Sequence, residues 1–331
     1  MGQLLSHPVE EKSIDFKSHG TLSYCVGAMQ GYRMTMEDAH DARVAENEQL
    51  AVFGVFDGHG GKDVAERLRT SLVPEIFRTL NADGPQVSLR KVLAQIKDCF
   101  FKVDAALPEA QAANCGSTAV VATILAGRYI VVANTGDSRA ILSLPGGLPK
   151  TLSFDHKPST MGERVRIENA GGYVANSRVN EILALSRAFG DASFKLPWLE
   201  LSASGSHNSY LERNRGLVHD NLVPIPPELY QVSVEPDIMV YDLAVMPQPE
   251  FLVLACDGIW DCYTNDQLLA VIREKLHDGW QLQHVVEYVL HDCISMASNI
   301  TGIGFDNMTL VIVVLHGSQT YDEWHAAMAQ S

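Results

Sequence analysis

Three times along this chain an apolar run suited to a β-strand stops at an aspartate beside a glycine: Phe56-Asp57-Gly58, Thr135-Gly136-Asp137 and Cys256-Asp257-Gly258. A fourth acid, Asp306, immediately precedes another such run that starts near Met308. Taken singly, each Asp-Gly reads most simply as a turn. Their repetition at strand ends points instead to carboxylates held rigidly toward a shared cleft. Such acids would repel one another and lose hydration heavily unless a cation joined them. Hard divalent ions such as Mg²⁺ and Mn²⁺ favour oxygen ligands of this kind. Glycine adds close backbone approach and a carbonyl free to act as a further ligand. Asp257 and Asp261 also share a face at helical spacing, although Asp261 reads equally as a cap of the next element.

The rest of the chain supplies a framework for such a cleft. Ser23–Met29, Leu50–Phe56, Ser117–Leu125, Tyr129–Ala133, Arg139–Leu144, Phe251–Ala255 and Met308–Leu315 read as strands. Gly136-Asp137 lies between two of these runs and gives a hairpin signal. Helical periodicity places Val64, Leu68, Leu72, Ile76 and Leu80 on one face, and Leu89, Val92, Leu93, Ile96, Phe100 and Val103 on another. Further helices are expected near 265–276 and 281–298. A terminal one turns Tyr321, Trp324 and Met328 to one side, a face that docks on the core more readily than it recruits a partner. Strands in close runs with helices grouped between them fit a layered arrangement of sheets covered by helices better than a βαβ repeat. Residues 198–230, rich in Ser, Gly and Pro, read as a long surface loop or flap beside the cleft, or as hiding a short helix around Ser209–Arg213.

Charge and cysteine usage narrow the class. The 25 basic and 40 acidic residues leave −15, with no basic face for a polyanion, so nucleic acid is not an expected partner. Six cysteines show no C-x-x-C pair and no zinc-ligand spacing, as expected of reduced thiols in an intracellular protein. No apolar run is long enough to span a bilayer. Residues 1–20 read as a polar tail or a loose edge strand, ahead of one large domain from 21 to 331. The first residues, Met1-Gly2-Gln3-Leu4-Leu5-Ser6, fit the signal for myristoylation of Gly2, the alternative being an unmodified tail. One acyl chain with no second anchor gives only reversible membrane contact. The expected location is therefore cytoplasmic and partly membrane-associated, with the nucleus also open to it.

An acidic cleft accepts a phosphorylated substrate only when cations reverse its field. A nearby arginine then adds directional bonds to phosphoryl oxygens. Arg33, four residues before Glu37-Asp38, is the candidate, its alternative being a plain ion pair. His59, two residues after Asp57, could protonate a leaving group, ligate a metal or be structural. No cysteine has the C-x₅-R spacing of a thiol phosphatase, and no G-x-x-x-x-G-K-[ST] loop is present.

In order, Arg33-Met34-Thr35-Met36-Glu37-Asp38-Ala39-His40, Phe56-Asp57-Gly58-His59-Gly60-Gly61, Cys115-Gly116-Ser117-Thr118-Ala119, Asn134-Thr135-Gly136-Asp137-Ser138-Arg139-Ala140, Leu185-Ser186-Arg187-Ala188-Phe189-Gly190-Asp191, Ala255-Cys256-Asp257-Gly258-Ile259-Trp260-Asp261 and Asp306-Asn307-Met308-Thr309 resemble the motifs of the PPM, or PP2C-type, metal-dependent serine/threonine protein phosphatases. The resemblance spans roughly residues 21–316. It implies an α+β fold, an α-β-β-α sandwich of two mainly antiparallel sheets with helices on both outer faces. It also implies two Mg²⁺ or Mn²⁺ ions bridged by Asp57, with Asp257 and Asp306 on one and Glu37 and the Gly58 carbonyl on the other. Asp38 would orient the attacking water, Arg33 bind phosphate and His59 act as general acid. Asp137 and Asp261, with Asp257 shared, would hold a weaker third ion. The implied reaction is direct hydrolysis of phosphoserine and phosphothreonine in protein substrates by a monomer, with no phosphoenzyme. Residues 198–230 look longer than the compact flap of many relatives. A catalytically silent binding protein of the same fold and a metal-dependent nuclease are the competing classes.

Overall fold

In the computed structural model, residues 4–83, 88–200, 214–217 and 222–330 are described. Two antiparallel sheets form the centre. The first is six-stranded, built from β1 (Leu4–Ser18), β2 (Ser23–Arg33), β7 (Arg139–Leu144), β8 (Leu148–Thr151), β10 (Phe251–Ala255) and β11 (Met308–Val314), in the order β1-β2-β11-β10-β7-β8. The second is five-stranded, from β3 (Ala39–Val44), β4 (Leu50–Phe56), β5 (Ala119–Leu125), β6 (Tyr129–Thr135) and β9 (Asp237–Asp242), in the order β9-β6-β5-β4-β3. On the second sheet lie α1 (Asp63–Asp83) and α2 (Leu89–Ala105). On the first lie α5 (Asn265–His277) and α6 (Leu282–Ser295), with α3 (Met161–Asn169) and α4 (Asp257–Trp260) in the connections between strands. The expected α-β-β-α sandwich is what the chain forms.

Period-two alternation explains the layering. Successive side chains of a strand point to opposite faces, so a strand covered on both sides reads as an unbroken apolar run. β4 does so: Ala51, Phe53 and Val55 enter the core between the sheets, while Leu50, Val52 and Phe56 join the core under α1 and α2. Phe53 meets Tyr24 of β2 across the sandwich, ring centroids 5.1 Å apart. Val64, Leu68, Leu72, Ile76 and Leu80 of α1 are all buried, as their spacing requires. The terminal helix α7 (Tyr321–Met328) starts at a Thr320/Glu323 capping box and buries Tyr321, Trp324 and Met328.

One alternative is decided and two expectations change. First, of the polar tail and the edge strand, the edge strand is what Leu4–Ser18 forms, zipped to β2 from Ser18↔Ser23 to Leu4↔Arg33 with two irregularities in register. Gly2 lies outside the described residues. Second, Gly136-Asp137 is no hairpin, because β6 pairs in the five-stranded sheet and β7 in the six-stranded one. Local turn chemistry cannot distinguish a hairpin from a crossing between layers. Gly136 takes φ +109°, and a Cβ there would lie 2.6 Å from the Thr118 side chain. Third, the 198–230 insert opens and closes with a ladder, Trp198–Glu200 against Leu222–Pro224, rather than a structureless loop. The helix considered at Ser209–Arg213 lies outside the described residues. All six cysteines are free thiols, five of them buried.

Phe53 is fully buried where the two sheets meet. Phe53→Ala is expected to cost about 3–5 kcal/mol, the range for emptying a large aromatic site in a core. Urea unfolding measures it, and a loss below about 1 kcal/mol would contradict the packing described.

Candidate active site at one end of the sandwich

One end of the sandwich opens into a cleft of about 540 Å³. Arg33, Glu37, Asp57, Gly58, His59, Asp137, Asp257 and Asp306 all line it. Asp38 lies beneath, buried, and Asp261 stands to one side, where it lines a smaller cavity with Arg33 and Asp306. The candidate acids therefore come together from both sheets, Asp57 from the end of β4 and Asp257 from the end of β10.

Each acid is fixed through its neighbours. The Asp57 N–H donates to Thr118 Oγ1 at 3.1 Å, and its carbonyl accepts the Thr118 N–H at 2.9 Å. Thr118 Oγ1 lies 2.7 Å from Ser138 Oγ, so a buried hydroxyl pair links Asp57 to the residue after Asp137. Asp257 begins α4, and its N–H reaches Asp57 Oδ2 at 3.4 Å. A Cβ on Gly258 would lie 2.0 Å from the Asn307 carbonyl, so glycine alone lets α4 approach the Asp306 turn this closely. Glu37 accepts from Thr35 Oγ1 at 2.8 Å and from the Gly61 N–H at 3.3 Å. Asp38 accepts from Thr309 Oγ1 at 2.8 Å.

The electrostatics follow from crowding. Desolvation, followed by repulsion from Asp257, Asp38 and Asp306, holds the Asp57 carboxyl well above the usual range. Asp257 is pushed the same way by desolvation and then by Asp137 and Asp306. Asp38 is raised to about 7, chiefly by desolvation, with the Thr309 hydroxyl pulling it back. Arg33 donates to Asp306 at 2.6 Å, so the ion-pair reading of this arginine is what the structure displays. The Lys157 ammonium pairs with Asp137. Asp57 and Asp257 have no comparable cation against them among the described residues. Half-buried, crowded oxygen donors of this kind fit divalent hard cations.

Several contributors went unnamed in the sequence reading. Cys256 Sγ lies with oxygens of Asp38 and Asp57 inside a 4.8 Å cluster of candidate ligand atoms. Burial and the neighbouring acids push its thiol well up, and it accepts the Thr309 N–H at 3.1 Å, so it stands as a neutral neighbour of the oxygen donors. Arg178 and Leu183–Leu185 close one wall of the cleft. No described residue of 198–230 is among the lining, so the expected place of that insert beside the cleft is not seen there. Asp191 is the largest omission. It sits in the left-handed region at φ +47°, a conformation that non-glycine residues hold mainly where surroundings enforce it. Its Oδ2 is 2.7 Å from His59 Nε2. Its only sequence signal was its place in the Leu185–Asp191 segment.

Burial lowers the basicity of His59, and the bond to Asp191, followed by the charges of Asp191, Asp137 and Glu37, outweighs it, so the net shift is upward. A raised imidazole contributes stability that is complete below the unfolded pKa of about 6.5 and is lost as pH rises through the folded value. Asp191→Asn is therefore expected to lower the His59 pKa in an NMR titration of its ring proton. The stability gap to wild type should be widest in acid and close toward alkaline pH. An unmoved His59 titration would contradict the pairing.

Comparison with known proteins shows the family to which the chain belongs. The family model described as Protein phosphatase 2C matches residues 22–301. Protein phosphatase 2C homolog 4 of Saccharomyces cerevisiae is 38% identical, across 99% of this chain and 97% of that protein. Protein phosphatase 2C homolog 3 of Schizosaccharomyces pombe is 36% identical, across 99% of this chain and 73% of that one. In fold, the crystal structure of a phosphatase from a pathogenic strain of Toxoplasma gondii superposes with a TM-score of 0.71 at 23% identity, over 94% of this chain and 97% of its own. The chain belongs to the protein phosphatase 2C (PPM) family. It is a metal-dependent serine/threonine protein phosphatase that acts on phosphorylated proteins.

Proposed function

We propose that this chain hydrolyses phosphoserine and phosphothreonine directly, with two Mg²⁺ or Mn²⁺ ions held at the sandwich end and no phosphoenzyme. The observation that carries this reading is the convergence of Asp57, Asp257 and Asp306 in one cleft with carboxyl groups that burial and mutual repulsion disfavour as bare anions. Asp57, with Asp257 and Asp306, would hold one ion and, with Glu37 and the Gly58 carbonyl, would hold the other. When bound, the cations supply Lewis acidity toward the phosphoryl group and acidify the attacking water.

The chain's own groups do the rest. Asp38, raised to about 7, is suited to orient that water and to take a proton near neutral pH. Arg33, whose forked donors suit phosphoryl oxygens and which here pairs with Asp306, would bind the phosphoryl group. His59, kept basic by Asp191, donates a proton to the departing serine or threonine oxygen. Asp137 and Asp261 form a weaker third cation site, which Lys157 neutralises in the absence of an ion. Cys256, the thiol beside the acids, offers no covalent nucleophile: it is buried and driven away from the thiolate.

Stripping the protein with a chelator is expected to abolish phosphothreonine-peptide hydrolysis, and Mn²⁺ or Mg²⁺ to restore it. Asp57→Asn should lower turnover by more than about a hundredfold, since even partners one bond removed from a metal typically cost ten- to a hundredfold. Full activity in metal-stripped protein, or turnover near wild type in Asp57→Asn at limiting Mn²⁺, would sink the mechanism.

A further inference from the structure

Asn307 is buried at 4% exposure and lines the cleft. Its position is set by an unequal pairing of strands. β11 ends its ladder with β2 at Met308↔Met29, yet β2 continues to Arg33. Beyond that point the Asn307 side chain replaces the missing strand. Its Nδ2 donates to the Gln30 carbonyl at 2.8 Å and to the Thr35 carbonyl at 3.0 Å. Its Oδ1 accepts the Glu37 N–H at 2.8 Å. This amide orientation is the only satisfiable one, because a flip would set an NH₂ against an N–H and an oxygen against two carbonyls. Its backbone N–H meanwhile donates to Asp306 Oδ1 at 2.8 Å.

One residue thus joins the segment carrying Arg33 and Glu37 to the acid Asp306. We propose that Asn307 is a positioning residue that sets the spacing between the Glu37 side and the Asp257–Asp306 side of the cation site, and with it the placement of Arg33. This rests on the two-cation reading above. Beside the Arg33–Asp306 ion pair, the three side-chain bonds of Asn307 tie the Asp306 turn to the segment carrying Arg33 and Glu37. Gly258 fits against the Asn307 carbonyl, so α4 and Asp257 are registered to the same residue from the other side.

The test uses the full chain with Asn307→Ala and Asn307→Ser, which remove all three side-chain bonds or leave one short hydroxyl. Mn²⁺ affinity is measured by calorimetry, and kcat and KM for a phosphothreonine peptide at saturating Mn²⁺. Folding is followed by circular dichroism in chelator. The expected result is a fold retained without metal and Mn²⁺ affinity lowered about ten- to a hundredfold, the usual effect of losing an outer support of a metal ligand. At saturating Mn²⁺, kcat should return to within about threefold of wild type while KM stays raised several-fold, because Arg33 remains loosened. A purely structural amide would lower thermal stability and leave both Mn²⁺ affinity and KM unchanged, which overturns the proposal. Loss of folding in both variants in chelator overturns it too, since it makes the amide a support of the fold rather than of the site. Wild-type protein that binds no Mn²⁺ would instead refute the cation reading itself, so the two failures are told apart.

Discussion

Asp57 and Asp257 stand at the ends of two strands that belong to different sheets, and the distance between them is set by the core between those sheets. Neither carboxylate is comfortable there: each loses hydration, and Asp137 and Asp306 repel both. The fold holds these groups together against that cost through rigid packing below them. Tyr24 against Phe53 and the apolar faces of β4, β5, β10 and β11 fix the layers. Acids delivered by strands ending in a packed sandwich can be held closer than flexible loops would hold them.

Above the core, short polar side chains carry that order to the cleft. Thr118 and Ser138 brace Asp57 against the Asp137 turn, Thr309 braces Asp38, and Asn307 braces the Arg33–Glu37 segment. Two cationic side chains neutralise the rim, Arg33 at Asp306 and Lys157 at Asp137. Among the described residues, the centre of the cluster has none. That division, compensated acids at the edge and uncompensated ones in the middle, is the arrangement a hard dication completes.

Much of this was legible in the chain. Leu50–Phe56 and Phe251–Ala255 coincide with their strands because each apolar run is cut off by the aspartate that the cleft needs. The unbroken apolar run of β4 accords with its burial on both faces. Pairing across layers was not legible: the Gly136-Asp137 turn looks like a hairpin locally, and only the distant strands β5 and β10 decide that its arms part. The N-terminal strand escaped firm assignment because one face is exposed and polar, with Glu10, Glu11, Lys12 and Lys17 along it. Asp191 and Lys157 were missed as site residues for a shared reason. Each acts through a partner, His59 or Asp137, far away in sequence, and neither alone has a chemical signature. Asn307 is an extreme case, an amide whose role exists only in the geometry of what it joins.

The central claim is that cations complete a cluster of acids that would otherwise hold protons. Cation binding must then expel those protons. Calorimetric titration of Mn²⁺ into metal-free protein at pH near 7, repeated in buffers of different ionisation enthalpy, counts them. With Asp38 raised to about 7 and Asp57 and Asp257 well above the usual range, on the order of one proton or more should leave per protein. Mn²⁺ binding with no proton release would contradict this account.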